Sequence, residues 1–179
     1  MRTYYGVPFL VNDYLARFEQ SAKGMKLKLP LKRKEIIAVI NKLLEKNKKP
    51  IRTRNLPPFG RAGVGYFGDG LGIRLLLTGG YSLDSYLPSL KPNLFILIED
   101  LPQYPAWYSS KGIKLMLCEH KREMSRVKTI NYLTAIHLAD ERRKHKAQDT
   151  LYCYEGKVLE TTRNNFFLFH ENTLVTSKE

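Results

Sequence analysis

Two apolar stripes with helical spacing stand one behind the other at the start of the chain, and strand-like runs follow them to its end. Leu15, Phe18, Ala22 and Met25 recur at three- and four-residue steps, and Ile36, Ile37, Ile40, Leu43 and Leu44 repeat the pattern. Asn12 or Asp13 is expected to cap the first helix, and Pro30, with its φ already suited to a first turn, to start the second. Each stripe has to be buried, and the apolar runs that follow offer a surface: Ile73–Thr78, Leu94–Ile98 and Ile113–Cys118 read as strands. One further helix is expected from Thr129 to about Lys146, with Leu133, Ile136 and Asp140 on successive turns. Thr150–Tyr154 and Val158–Glu160 flank the turn Glu155-Gly156-Lys157 as a hairpin. Asn165–Phe169 and Thr173–Thr176 form a second one around Glu171-Asn172. Helices and strands mixed in this order, with hairpins last, predict an α+β fold.

Between Lys48 and Gly72 the periodicity stops. Pro50, Pro57, Pro58 and six glycines make this stretch a long loop or insert, residues 48–72. Gly63-Val64-Gly65-Tyr66-Phe67-Gly68 inside it matches GxGxxG, but a dinucleotide site needs a strand before that run and a helix after it. Pro-rich basic sequence precedes it and a strand follows, so a flexible insert is the better reading. Residues 101–110, with Pro102, Pro105 and Trp107, resemble a linker between an N-terminal lobe, 1–100, and a C-terminal lobe, 111–179.

The formal charge is +13, from 30 Lys+Arg against 17 Asp+Glu. Thirteen basic residues face only Glu35 and Glu45 between Lys23 and Arg61. Such a strip attracts phosphate backbones, yet no aromatic residues alternate with it as stacking platforms, so a solvated helix face and loop are expected and nucleic acid is not an expected partner. No run reaches the roughly 18–20 apolar residues of a membrane span. The N-terminus lacks the apolar core of a signal peptide, and Cys118 and Cys153 form no redox or metal pattern, which together point to a cytoplasmic protein. His120, His137, His145 and His170 lie at no metal-ligand spacing, and GxSxG, P-loop and HExxH motifs are absent.

The order of motifs is more telling than the composition. Lys128-Thr129-Ile130-Asn131-Tyr132-Leu133 is followed by a helix and a strand. The turn Glu155-Gly156-Lys157-Val158 comes next, and then Glu160-Thr161-Thr162-Arg163-Asn164-Asn165-Phe166. This resembles the K-x-x-N-Y-L and G-x-V-x-E-x-x-x-x-N-x-F signature of the class IV aminotransferases, the fold-type IV pyridoxal-phosphate enzymes. Branched-chain aminotransferases, D-amino acid aminotransferases and aminodeoxychorismate lyase belong to that group. Arg2-Thr3-Tyr4-Tyr5-Gly6-Val7-Pro8-Phe9 and Tyr14-Leu15-Ala16-Arg17-Phe18-Glu19-Gln20-Ser21-Ala22 resemble the family's R-x-Y-x-G-x-P-F and H-L-x-R-L-x-x-S-A. The resemblance implies a small N-terminal α/β lobe and an incomplete, β-rich C-terminal lobe.

The same resemblance implies roles. Lys128 would be the Schiff-base lysine of pyridoxal 5'-phosphate and the general base and acid of the proton shift, which needs a neutral amine favoured by burial and neighbouring positive charge. Glu160 would face the ring nitrogen, where a carboxylate holds a proton better than an amide could. Arg17 would grip the cofactor phosphate through its planar fork. Tyr132 would lie near the ring hydroxyl or the lysine, Thr162 and Arg163 would meet the cofactor edge, and Asn165 would fix their loop. Arg2 and Arg74 would be ligands of the substrate carboxylate. A homodimer acting on amino and 2-oxo acids is implied.

The sequence departs from the family pattern in places. Tyr14 replaces the usual His, and Gly79 stands where D-amino acid aminotransferases carry an arginine, which argues against that subgroup. Family chains begin before Arg2 and run beyond Thr176 into a G-[IV]-T-R loop that binds the phosphate, so the resemblance implies truncation at both ends. The leading expectation is a branched-chain-type aminotransferase. Its alternatives are a lyase of the aminodeoxychorismate type, a catalytically impaired truncated homologue, and a non-catalytic basic protein that keeps the fold.

Overall fold

In a computed structural model of the chain, residues 1–47, 70–89 and 91–176 are described. The expected insert 48–72 and its GxGxxG run lie outside the described residues, apart from 70–72. The chain divides into two compact units, Met1–Pro105 and Ala106–Glu179.

The first unit opens with a short hairpin of β1 (Thr3–Tyr4) and β2 (Val7–Pro8), closed by Tyr5 and Gly6, both at positive φ. Helices α1 (Val11–Gly24) and α2 (Arg33–Lys46) follow, and then the antiparallel pair β3 (Leu71–Thr78) and β4 (Asn93–Asp100). The register runs from Leu71 opposite Asp100 to Thr78 opposite Asn93. The N-terminus joins β3 as well: the Met1 ammonium donates to the Ile73 carbonyl at 2.9 Å, and the Ile73 N–H returns a bond to the Met1 carbonyl at 2.9 Å. Buried Thr3 accepts the Leu71 N–H through its hydroxyl at 2.8 Å.

The α2 stripe does what its spacing predicts, whereas α1 buries Leu15 and Ala22 and leaves Met25, just past its end, exposed. Leu15 of α1 and Ile36, Ile40 and Leu44 of α2 form one buried cluster with Leu71 and Ile73 of β3, against which Leu75, Leu94, Ile96 and Ile98 pack. Lys23, Lys26, Lys28, Lys32, Lys34, Lys42 and Lys46 are all exposed, the expected solvated face. Both helix starts differ from expectation. α1 begins at Val11, behind a left-handed Leu10 and without a side-chain cap, so Asn12 and Asp13 fall inside its first turn. α2 begins at Arg33 rather than Pro30, because Glu35 reaches back to the Lys32 N–H at 2.6 Å and fixes an extended Lys32 as the boundary. Arg33 then ties the helices together, its Nε donating to Glu19 Oε1 at 2.9 Å and its Nη2 to Oε2.

The second unit starts with a short helix, α3 (Trp107–Lys111), which overlaps the expected linker 101–110 and runs one residue past it. β5 (Leu115–Glu119) pairs in parallel with β6 (Asp149–Tyr154), which pairs antiparallel with β7 (Lys157–Thr161). A parallel pair needs a crossover, and α4 (Leu133–His137) and α5 (Ala139–Lys144) lie in it. The single helix expected from Thr129 to Lys146 is therefore corrected. It starts four residues later, where Asn131 Oδ1 accepts the Leu133 N–H at 3.1 Å, and it breaks at Leu138, whose ψ of 0 leaves the helical range. β8 (Phe167–His170) and β9 (Thr173–Thr176) form the last hairpin around left-handed Glu171 and Asn172, as expected, with β8 beginning two residues after Asn165. The α+β expectation holds, with a mixed sheet in the second unit.

Candidate active site

The second unit contains a cavity of about 150 Å³. Its walls come from the turn after β5 (His120, Arg122, Glu123), from the stretch entering α4 and its first turn (Thr129, Asn131, Tyr132, Leu133, Thr134, Ala135), from β6 (Tyr152) and from the turn after β7 (Thr162). The capping bond of Asn131 keeps 129–132 out of the helix, so Thr129, Asn131 and Tyr132 reach the cavity from irregular backbone, while Lys128, which precedes them, is not one of its walls. Lys128 itself is exposed, so burial is not what the chain supplies there.

The sheet wall follows from register. Glu160 lies opposite Tyr152, and residues opposite one another in an antiparallel pair share a face. Tyr152 is 4% exposed, its ring meets that of His120 edge-on at 4.9 Å between centroids, and Thr134 Oγ1 lies 3.4 Å from His120 Nε2. Beyond β7 the chain turns sharply: the Asn164 N–H donates to Thr161 Oγ1 at 3.1 Å, and the Thr161 N–H donates to the Asn164 carbonyl at 3.1 Å. That turn aims Thr162 inward, where its hydroxyl donates to Asp149 Oδ1 at 2.6 Å. Arg163 and Asn165, on the same loop, are exposed and do not line the cavity.

Glu160 is held by a residue that sequence reasoning missed. Arg122 Nε donates to Glu160 Oε1 at 2.6 Å, and Arg122 Nη2 lies 2.6 Å from the same oxygen. The two side chains are 22% and 31% exposed. Tyr152 and His120 were likewise not foreseen, because the parallel pairing that brings β5 beside β6 leaves no short-range signal. Among the described residues, no group of three or more His, Cys, Asp and Glu residues could hold a metal, and no helix is long and apolar enough to cross a membrane.

Burial pushes the Tyr152 phenol above its ordinary value of 10.0, outweighing the hydrogen bond with Thr162 that pulls it down. For an acid whose folded value is raised, the folded chain holds the proton more tightly than the unfolded chain. Its contribution to stability is then complete below about pH 10 and is lost as pH climbs past that point. Urea unfolding measured from about pH 8 to 11 should show a decline that Tyr152→Phe makes shallower. Equal slopes for the two proteins would contradict this assignment.

The remaining expected residues lie in the first unit. Arg17 is exposed on α1, its guanidinium carbon 5.2 Å from the Tyr14 ring centroid. Arg2 is half-buried and stacks over Tyr4 at 4.7 Å. Arg74 is exposed and bonded to Glu99 Oε1 at 2.8 and 3.2 Å. Gly72, opposite Glu99, makes room for that pair: a Cβ there would sit 2.9 Å from Glu99 Cγ.

With this geometry in hand, comparison with known proteins is direct. The sequence model of the family "Amino-transferase class IV" matches residues 1–179, and the chain belongs to that family. The chain is 27% identical over 183 residues to the "Probable branched-chain-amino-acid aminotransferase" of Rickettsia bellii (strain RML369-C), across 98% of this chain and 56% of that protein. A hypothetical aminotransferase from Mycobacterium tuberculosis, solved with alpha-ketoglutarate and PMP bound, has a TM-score of 0.72 at 16% identity, covering 99% of this chain and 59% of that one. A "Putative 4-amino-4-deoxychorismate lyase" from Legionella pneumophila subsp. pneumophila str. Philadelphia 1 has a TM-score of 0.71 at 18% identity, covering 98% and 59%. The chain thus spans little more than half the length of these relatives. Aminotransferase and lyase share one fold here, so the fold alone does not choose between them.

Proposed function

We propose that this chain belongs to a pyridoxal-phosphate-dependent aminotransferase that moves an amino group from an amino acid, branched-chain members included, to a 2-oxo acid. The observation that carries the reading is convergence: two separate motif segments meet at one cavity, Thr129, Asn131 and Tyr132 from one and Thr162 from the other.

The donor set suits the cofactor. The aromatic edges of Tyr132 and Tyr152 fit a flat ring, and the hydroxyls of Thr129 and Thr162 fit its polar rim; Glu160 is not a wall of the cavity, but it lies opposite Tyr152, and its carboxylate suits a protonated ring nitrogen. Bound pyridoxal phosphate supplies an electron sink that this protein's side chains lack. Lys128 would hold the cofactor covalently, and its Nζ would take the proton from the substrate Cα. Glu160 would keep a proton at the ring nitrogen, Tyr132 would orient the ring, and Thr162 with Arg163 would border its edge, on a loop fixed by Asn165. Arg17 would bind the phosphate, and Arg2 and Arg74 the substrate carboxylate. We further propose that the protein works as a homodimer in the cytoplasm.

The full-length protein, incubated with pyridoxal phosphate, L-leucine and 2-oxoglutarate, should produce glutamate and the matching branched-chain oxo acid in equal amounts. Pyruvate released from aminodeoxychorismate, with no amino transfer, would replace this reading with the lyase alternative. Turnover of neither would overturn both.

A further inference from the structure

A carboxylate that must accept one bond from a ring nitrogen has two oxygens and several rotamers, and an exposed glutamate leaves all of them open. Glu160 is not in that position. Both Arg122 contacts, from Nε at 2.6 Å and from Nη2 at 2.6 Å, fall on Oε1. This is not the parallel fork in which guanidinium and carboxylate take up each other's two edges. One oxygen takes both contacts, and among the described residues the hydrogen bond that Glu160 accepts from Arg122 falls on Oε1, not on Oε2. Arg122 is also a wall of the cavity, and Glu160 shares the sheet face of Tyr152, another wall. The strand pairing holds the glutamate backbone, and the turn after β5 holds the arginine.

We propose that Arg122 is a positioning residue for Glu160: it clamps Oε1, sets the carboxylate in one orientation and assigns Oε2 to the ring nitrogen of the cofactor. The inference rests on the pyridoxal-phosphate reading above and adds a residue to it. Arg122 exerts its role through Glu160, not by a bond of its own to the ring nitrogen. It acts by cutting the conformational freedom that Glu160 would lose on accepting the bond, and by leaving a single acceptor aimed in one direction.

A role confined to the ring nitrogen can be separated from a general structural one with two cofactors. Pyridoxal phosphate carries the nitrogen, and its 1-deaza analogue replaces it with carbon while keeping the aldehyde, the hydroxyl and the phosphate. Dissociation constants for both would be measured by absorbance on the full-length wild-type protein, Arg122→Met and Arg122→Lys. Loss of one charge-assisted hydrogen bond corresponds to about a tenfold to hundredfold change in affinity. Arg122→Met should therefore bind pyridoxal phosphate more weakly by that factor and bind the deaza analogue as wild type does. Arg122→Lys should recover part of the difference, since an ammonium can hold Oε1 at one point. Wild-type binding of the deaza analogue by Arg122→Met also serves as the proof that this variant is folded.

Equal weakening for both cofactors would overturn the proposal, because it would make Arg122 a structural residue of the unit. Unchanged affinity for both in Arg122→Met would overturn it too, with the pyridoxal-phosphate reading left standing. Wild-type protein that bound neither cofactor would remove that reading and this inference together.

Discussion

Replacing Lys128 with alanine is expected to lower amino-group transfer by a factor of about 10²–10⁴, the range that a positioned general acid–base group contributes. The expectation follows from where Lys128 stands rather than from its charge, which is one among many in a protein of +13. It precedes Thr129, Asn131 and Tyr132, all of which line the cavity, and the capped start of α4 holds that stretch in irregular backbone. A helix running from Thr129 onward would have given these side chains helical spacing and carried part of them around to another face. The loss should fall on turnover, with substrate affinity changed less, because in the proposed role the lysine would act on a proton in the transition state. Steady-state rates of glutamate formation with wild-type and Lys128→Ala protein make the measurement. Lys144→Ala, at the end of α5, serves as a control for general loss of positive charge.

The second large effect is on stability. Ile40→Ala is expected to destabilise the folded chain by about 2–5 kcal/mol, the usual cost of removing a fully buried aliphatic side chain and leaving a cavity. Ile40 is 0% exposed and belongs to the cluster formed by Leu15, Ile36, Leu44, Leu71 and Ile73. That cluster is bounded by two helices and a two-stranded sheet, so the space cannot be filled by moving one flexible loop. Val39, one residue earlier and 37% exposed, provides the contrast: Val39→Ala should change stability by less than about 0.5 kcal/mol. Urea unfolding followed by circular dichroism distinguishes the two, and similar effects for both would mean that the α2 face is assigned wrongly.

Residues whose fate depends on their own helix were readable in the sequence. Leu15, Ile36, Ile40 and Leu44 are buried because their spacing leaves them no other face, and the exposed lysines occupy what remains. The hairpin at Glu171-Asn172 was equally legible, since two polar residues able to take positive φ stand between short apolar runs. Boundaries were less so. Pro30 looks like a helix start, but the Glu35 bond to the Lys32 N–H decides where α2 begins. The break at Leu138 carries no proline or glycine to announce it.

For the site, motif order named Tyr132 and Thr162, both of which line the cavity, whereas Lys128, Glu160 and Arg163 are not among its walls, and Asn165, expected to fix the loop, is not one either. Arg122 and His120 were hidden. Arg122 sits in the charged run Lys121-Arg122-Glu123, which reads as ordinary surface, and its partner Glu160 is 38 residues away on a strand reached only through the crossover and a turn. Separation of that kind erases short-range patterns, and the pairing becomes visible only once β5, β6 and β7 are in register.

The central claim is that Lys128 is the residue to which the cofactor is bound. Full-length protein loaded with pyridoxal phosphate would be reduced with borohydride, digested, and examined by peptide mass spectrometry. The account predicts the cofactor's mass on the peptide containing Lys128, and on none in the Lys128→Ala variant. A cofactor found on another lysine, with the Lys128 peptide unmodified, would contradict it.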